Sequence, residues 1–290
     1  MKAIVVTEHG GPDVLSYQDV EAPTPSKEQL LIDVSFAGVN FIDTYFRSGT
    51  YPSNPPYIPG TEGAGRVVED PKGEIAPGTL VAWHDAPGSY AEQVVVDRNR
   101  VVAVPEGVDE AVAASMLLQG MTSHYLLHGV RETNPGDTMV VTAGSGGVGL
   151  ILTQMAAALE ATVYSVVSTD EKEQLAYEAG ATKVFRYSDT LADEIREANG
   201  GEGVDVVYDG VGNDTFDMCL EVTRPRGMVC SFGSASGDVE PFKIQELNAH
   251  GALFLTRPSL KHYVATDDEF LMRAQAVARA VEDGTVKIRI

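Results

Sequence analysis

Gly144, Gly146 and Gly149 stand in the segment GSGGVG, between the apolar run DTMVVTAG and the helix-like stretch GVGLILTQMAAAL. A G-x-G-x-x-G spacing between a strand and a helix serves a dinucleotide: the glycines allow a tight turn, close approach of backbone to pyrophosphate, and close packing of helix on sheet. The phosphates would face the positive end of the helix, near Gly147 and Val148. About 20 residues past such a turn, proteins that select NAD present an acidic side chain to the ribose. Here that position holds Ser168, with Lys172 four residues further on. A serine puts no charge in the way of a 2'-phosphate and a lysine attracts one, so the pair favours NADPH. Asp170 and Glu171 argue for NADH if their side chains turn inward.

Other chemistries find less support. His124 and His128 share one face of a predicted helix at a spacing that can bind metal, but Tyr125 stands where a zinc protease has glutamate, and no third ligand is apparent. The segment GSASG at 233–237 has alanine where a hydrolase elbow needs serine. Cys219 and Cys230 are the only cysteines and lie in core-like segments, which predicts buried free thiols and fits a reducing cytoplasm.

The elements that must position these residues change character along the chain. KAIVV, LLIDVSFAG, AGRVV, TLVAW and AEQVVV are short β-rich runs between Gly and Pro clusters, and predict an antiparallel, barrel-like domain. Residues 109–129 form a helical run that Gly120 is expected to interrupt. From Asp137 onward strands and helices alternate, with KVFRY, VDVVYDGVG, GMVCSFG and GALFLTR as further strands, which predicts an α/β doubly wound parallel sheet. One more helix, DDEFLMRAQAVARAVEDG, precedes a short β-like VKIRI. At 290 residues, two domains are expected. No stretch is apolar enough for a membrane helix or a signal peptide, so no membrane partner is expected. A formal charge of −21 argues against nucleic acid and anionic surfaces as partners. The same acidity is compatible with a salt-adapted surface or an ordinary one.

The segments GVNFIDTYFRSGTYP (38–52), PGTEGAGRV (59–67), GSGGVG (144–149), VVYDGVG (206–212) and LTRPSL (255–260) resemble the zinc-free quinone oxidoreductases of the medium-chain dehydrogenase/reductase superfamily, in order along the whole chain. The resemblance implies a partly open, barrel-like GroES-like catalytic domain at 1–117 and 261–290, a Rossmann domain at 118–260, and a cleft that holds the nicotinamide. It implies that Asn40, Asp43, Tyr45 and Tyr51 line the reacting end. Thr122, and Ser145 through Gly146 and Gly147 to Val148, would hold the pyrophosphate side, with Gly144 and Gly149 in the same turn. Lys172 and Tyr187 would flank the adenosine phosphate. Phe232, Gly233 and Ser234, with Leu255, Thr256 and Arg257, would border the nicotinamide. From the residues alone, Asn40 and Asp43 read as turn residues, Tyr45 and Tyr51 as half-buried aromatics, and Phe232 and Leu255 as core.

Where zinc-dependent relatives read Gly-His-Glu, this chain reads Gly60-Thr61-Glu62. Metal-free hydride transfer needs an acceptor that takes hydride readily, which suits quinones and conjugated enones. The resemblance thus implies an NADPH-dependent quinone reductase; a side chain, with Tyr51 the candidate, or a water would protonate the reduced oxygen. An enone or alkenal reductase, or a non-catalytic NADPH-binding redox sensor, are the alternatives. GMVCSFG and GALFLTR would form the joining edge of a homodimer. Relatives continue for a few dozen residues past the position of Ile290, so either the catalytic domain is truncated, with an open edge at VKIRI, or this chain closes it differently.

Overall fold

β-branched runs between turn residues favour extended pairing, and in the first hundred residues they fold as antiparallel sheets. The computed structural model describes residues 1–290 and divides into two units. The first comprises residues 1–121, 264–284 and 288–290. In it β1 (Lys2–Val6) pairs with β2 (Leu15–Asp19). β3 (Gln29–Gly38) is followed by α1 (Phe41–Ser48), and then by β4 (Glu62–Glu69), β5 (Leu80–His84), β6 (Gln93–Asp97) and β7 (Val101–Ala103). The five strands form one antiparallel sheet in the order β6-β3-β4-β5-β7. Alternation along the strands turns Leu30, Ile32, Val67, Val81, Trp83, Val94 and Val96 into one core.

Two helices follow, α2 (Glu110–Ala114) and α3 (Leu117–Tyr125). Gly120 does not interrupt the run; the break falls before it, around Ser115 and Met116, and Gly120 lies inside α3. The reason is tertiary: a Cβ at Gly120 would stand 2.5 Å from Val277 Cγ1, so the glycine admits the neighbouring helix.

The second unit comprises residues 122–263 and 285–287. It alternates β8 (Thr138–Val141), α4 (Gly147–Ala158), β9 (Thr162–Val167), α5 (Asp170–Glu178), β10 (Lys183–Arg186), α6 (Leu191–Ala198), β11 (Val204–Asp209), α7 (Phe216–Val222), β12 (Thr223–Ser231), α8 (Gln245–Ala249) and β13 (Phe254–Thr256). The six strands are parallel, in the order β10-β9-β8-β11-β12-β13. Strands such as TMVV and VDVVYD are apolar nearly throughout because helices cover both faces. The order reverses between β8 and β11, and at such a switch point the loops after adjacent strands diverge and open a crevice. This is the doubly wound sheet expected from the alternating pattern.

The last helix, α9 (Asp267–Glu282), belongs to the first unit, and its first turn is closed by a reciprocal cap: Thr266 Oγ1 accepts from Glu269 N at 3.2 Å, and Glu269 Oε2 accepts from Thr266 N at 3.2 Å. VKIRI is not a strand. Val286 is buried, and Lys287 pairs with a side chain instead: its N–H donates to Gln154 Oε1 at 2.8 Å and its carbonyl accepts from Gln154 Nε2 at 3.3 Å. The Gln154 amide supplies the donor and acceptor that a neighbouring strand would. No helix is long and apolar enough to cross a membrane.

Candidate functional site

The second unit builds its site at the C-terminal ends of β8 and β9. After β8 the backbone enters a positive φ of 48° at Ala143, and Gly144 N donates to Val166 O at 3.0 Å, which ties the turn to β9. Gly146 N closes the turn on Ala143 O at 2.8 Å and starts α4 from an extended conformation. The first N–H groups of a helix lack intrahelical partners, and those of α4 lie in this loop beside Ser145, Gly147 and Val148.

A cavity of about 210 Å³ opens beside the loop, lined by Ala143, Ser145, Gly146, Val167, Ser168, Lys172 and Tyr187. Four features shape it. Lys172 Nζ donates to Ser168 Oγ at 3.0 Å, so the ammonium is held over the end of β9. Thr169 caps α5 by accepting from Lys172 N at 3.3 Å. Tyr187 OH accepts from Ala143 N at 3.0 Å, and burial pushes that phenol above its ordinary value. Asp170 points away: its carboxylate accepts from Arg186 Nη2 at 2.7 Å and is fully exposed. No carboxylate lines the cavity, and one lysine does.

Of the residues expected around a dinucleotide, this cavity gathers Ser145, Gly146, Ser168, Lys172 and Tyr187, with Gly144, Gly147, Val148 and Gly149 in the same turn. Phe232, Ser234 and Arg257 meet further along the same strand ends. Arg257 Nη1 donates to Phe232 O at 2.7 Å and Nη2 to Ser234 Oγ at 3.2 Å. Gly233 packs directly on Gly210, where a Cβ would come 2.5 Å from Gly210 O. Leu255 and Thr256 sit in β13 opposite Val229 and Cys230, and Thr122 is buried in α3. Ala143 and Val167 are lining residues that sequence spacing did not single out.

A polar cluster occupies the first unit at the junction of β3, α1 and β4. Asp43 Oδ2 accepts from Asn40 N at 2.9 Å, which closes the turn before α1, and from Tyr90 OH at 2.7 Å. Asn40 Nδ2 donates to Glu62 Oε2 at 2.7 Å, and Asn40 Oδ1 accepts from Gln119 Nε2 at 3.2 Å. Glu62 Oε1 accepts from Leu118 N at 2.8 Å, at the N-terminus of α3. Glu62 is 0% exposed. Burial is the main cause that pushes its carboxyl up to about 7, against the lowering effects of Asn40 and the α3 backbone. Burial also raises Asp43. Tyr45 and Tyr51 form an aromatic pair with ring centroids 5.1 Å apart. Glu62, Tyr90 and Gln119 escaped the spacing argument; the sole signal was a glutamate at the start of a glycine-rich strand.

Both thiols are buried and free, and burial pushes Cys230 up to about 12 and Cys219 well above its usual value, so neither is nucleophilic near neutrality. The His124 and His128 rings lie 4.7 Å apart, and no three His, Cys, Asp or Glu side chains converge in a metal-holding arrangement.

A GroES-like unit followed by a Rossmann unit with a glycine turn is the architecture of the medium-chain dehydrogenases and reductases. Family models agree: residues 26–106 match the alcohol dehydrogenase GroES-like domain, and residues 147–271 match a family described as zinc-binding dehydrogenase. The chain is 37% identical to a quinone oxidoreductase of Pseudomonas aeruginosa over 100% of its own length and 90% of the relative's. It is 36% identical to a 2-haloacrylate reductase of a Burkholderia species, covering 98% of this chain and 89% of that one. A mycobacterial structure complexed with NADPH superposes with a TM-score of 0.96 at 45% identity, covering 100% of this chain and 91% of the other. The chain belongs to the quinone oxidoreductase family of the medium-chain dehydrogenase/reductase superfamily.

Proposed function

We propose that this protein reduces quinones with NADPH, without zinc. The observation that carries the reading is the cavity at the end of β9, where Ser168 and Lys172 stand beside the glycine turn and no carboxylate intrudes. The residues fit the dinucleotide: the turn leaves backbone N–H groups and a helix terminus for the pyrophosphate, and the lysine suits a 2'-phosphate. When bound, NADPH supplies a hydride to the acceptor. The chain's own residues bind and orient. Lys172 and Ser168 hold the adenosine end, Tyr187 closes the cavity over Ala143, and Arg257 fixes Phe232 and Ser234 at the nicotinamide end. On the GroES-like unit, Asn40, Asp43, Tyr45 and Tyr51 handle the acceptor, and Tyr51 returns a proton to the reduced oxygen. One hydride and one proton convert a quinone to a hydroquinone, so no further redox partner is needed.

NADPH is expected to bind at least tenfold more tightly than NADH, about 1.4 kcal/mol. Lys172→Ala will weaken NADPH and leave NADH nearly unchanged in a fluorescence titration; equal losses for both nucleotides would mean that the lysine acts through folding. Turnover of NADPH against a panel of quinones and enones tests the acceptor. Simple quinones should lead, and a preference for 2-haloacrylate, the substrate named for the Burkholderia relative, would favour the enone reading. Binding without turnover of any acceptor would leave a nucleotide sensor.

The Gly60-Thr61-Glu62 segment lacks the histidine of zinc-dependent relatives, which supports metal-free chemistry. Activity is expected to survive exhaustive chelation, with less than about one zinc per ten chains by elemental analysis; stoichiometric zinc would overturn this part of the reading.

We also propose a cytoplasmic homodimer joined at β13. This strand is the outer edge of the six-stranded sheet, and Phe254 on it is 62% exposed. An uncovered apolar edge invites pairing with another copy. Light scattering at micromolar concentration should give twice the chain mass.

A further inference from the structure

We propose that Glu62 is a positioning residue for the reaction: its carboxylate dictates which way the Asn40 amide faces and thereby holds one Asn40 N–H ready for the acceptor's oxygen. This rests on the reading of Asn40 as a residue of the reacting end. An ionised carboxylate accepts hydrogen bonds and donates none. Glu62 Oε2 stands 2.7 Å from the Asn40 side chain and therefore calls for its NH2 group. That choice turns Asn40 Oδ1 toward Gln119, which in turn must present its own NH2, at 3.2 Å. The amide is locked at both ends. Of its two N–H bonds one is spent on Glu62, and the second has no protein partner. A fixed donor of this kind stabilises charge that develops on a substrate oxygen as hydride arrives.

The orientation holds only while Glu62 is ionised. A proton on the carboxyl would place a donor against Asn40 Nδ2 or against Leu118 N, both of which are donors already. The protonated carboxyl keeps an acceptor oxygen for Leu118 N, and a proton on Oε2 finds an acceptor when the Asn40 amide flips, which sets its NH2 against that of Gln119 and removes the free donor from its place. The groups facing Glu62 pull in both directions. Leu117 and Leu118 N–H at the start of α3 and the Asn40 amide favour the carboxylate; burial and Asp43 on α1 oppose it. His84 is its cross-strand neighbour on β5 and is itself held down to about 4 by burial and Arg100, so it is neutral near pH 7 and adds no positive charge. Tyr90 is tied to Asp43 rather than to Glu62, and Arg47 acts on Tyr90. Burial wins, which puts the change of state close to neutrality.

The test is kcat and KM of the full-length enzyme with a soluble benzoquinone at saturating NADPH, from pH 5.5 to 9, for wild type, Glu62→Gln, Asn40→Ala and the double variant. Wild type should show an acidic limb with a midpoint near 7. Glu62→Gln should lower kcat at least tenfold at pH 8 and abolish that limb, while NADPH affinity, set on the other unit, changes less than twofold. In the Asn40→Ala background the glutamine should cost nothing more. A Glu62→Gln enzyme with wild-type kcat and limb, or losses that multiply in the double variant, would overturn the proposal. If Glu62→Gln does not fold, Asn40→Ala decides alone: the acidic limb must vanish from it, and its survival refutes the coupling. A readout independent of turnover separates this from failure of the quinone reading. The side-chain 15N resonance of Asn40, assigned by its loss in Asn40→Ala, must titrate near pH 7 whether or not any quinone is reduced, and a flat resonance refutes the inference.

Discussion

Replacing Gly149 by valine will abolish measurable NADPH binding, a loss of more than about 100-fold or 2.7 kcal/mol. A Cβ at this position would lie 2.5 Å from Ala143 O and 2.8 Å from Gly144 C and Cα. All three contacts are backbone, so no side chain can swing aside, and valine adds two further methyl groups. The glycine turn itself must move, and with it the hydrogen bonds from Gly144 N to Val166 O and from Gly146 N to Ala143 O that shape the cavity. Overpacking of a buried site also costs stability, typically about 1–3 kcal/mol, so the thermal midpoint will fall by several degrees. Gly146→Ala provides the control, because a Cβ there meets only Ala143 O, at 3.2 Å. Calorimetric titration decides. Affinity of the valine variant within tenfold of wild type would show that the turn is not the pyrophosphate site.

The second large effect is expected from Ser168→Asp, which should weaken NADPH about 100-fold while leaving NADH unchanged or improved. Two losses combine. The new carboxylate stands where Ser168 Oγ now meets Lys172 Nζ at 3.0 Å, so it pairs with the lysine and removes it from the 2'-phosphate. It also places a negative charge beside that phosphate, in a cavity with no other carboxylate to share the change. For NADH the same carboxylate gains a partner in the ribose hydroxyls. Fluorescence titration of both nucleotides measures the exchange. A fall in NADPH affinity of less than tenfold would mean that the 2'-phosphate lies elsewhere.

The glycine turn was legible because its signal is local. Three glycines at the right spacing, an apolar run before them and a helical pattern after them all lie between residues 137 and 159, and short-range sterics alone require that combination. Ser168 was legible for the same reason, as the end of the next strand in a strand–helix–strand unit. The parallel sheet followed from the alternation of strands and helices after Asp137, since parallel neighbours need a crossover helix between them.

Gly120 and VKIRI show where local reading stops. Propensity marks a glycine as a helix breaker, yet the approach of Val277, far along the chain, makes a small residue in α3 an advantage. VKIRI has strand propensity, but the polar groups of Lys287 are met by the Gln154 side chain rather than by a strand.

The amino-acid sequence by itself determined the nucleotide half of this protein: the order of strands and helices, the turn, and the uncharged residue with its lysine at the end of β9. It also marked Asn40 and Asp43 as residues of a turn that ends a strand, since both have side chains that bond to nearby backbone; that α1 begins there was not legible. Only the tertiary structure decided that Glu62 is buried against Asn40 and against the start of α3, through contacts that span 22 and 56 residues of chain. The physical reason is the cost of desolvation. In sequence, a glutamate between Thr61 and Gly63 has the composition of a solvated strand end; its carboxyl rises to about 7 because the fold removes water from it and offers N–H donors and no cation in return.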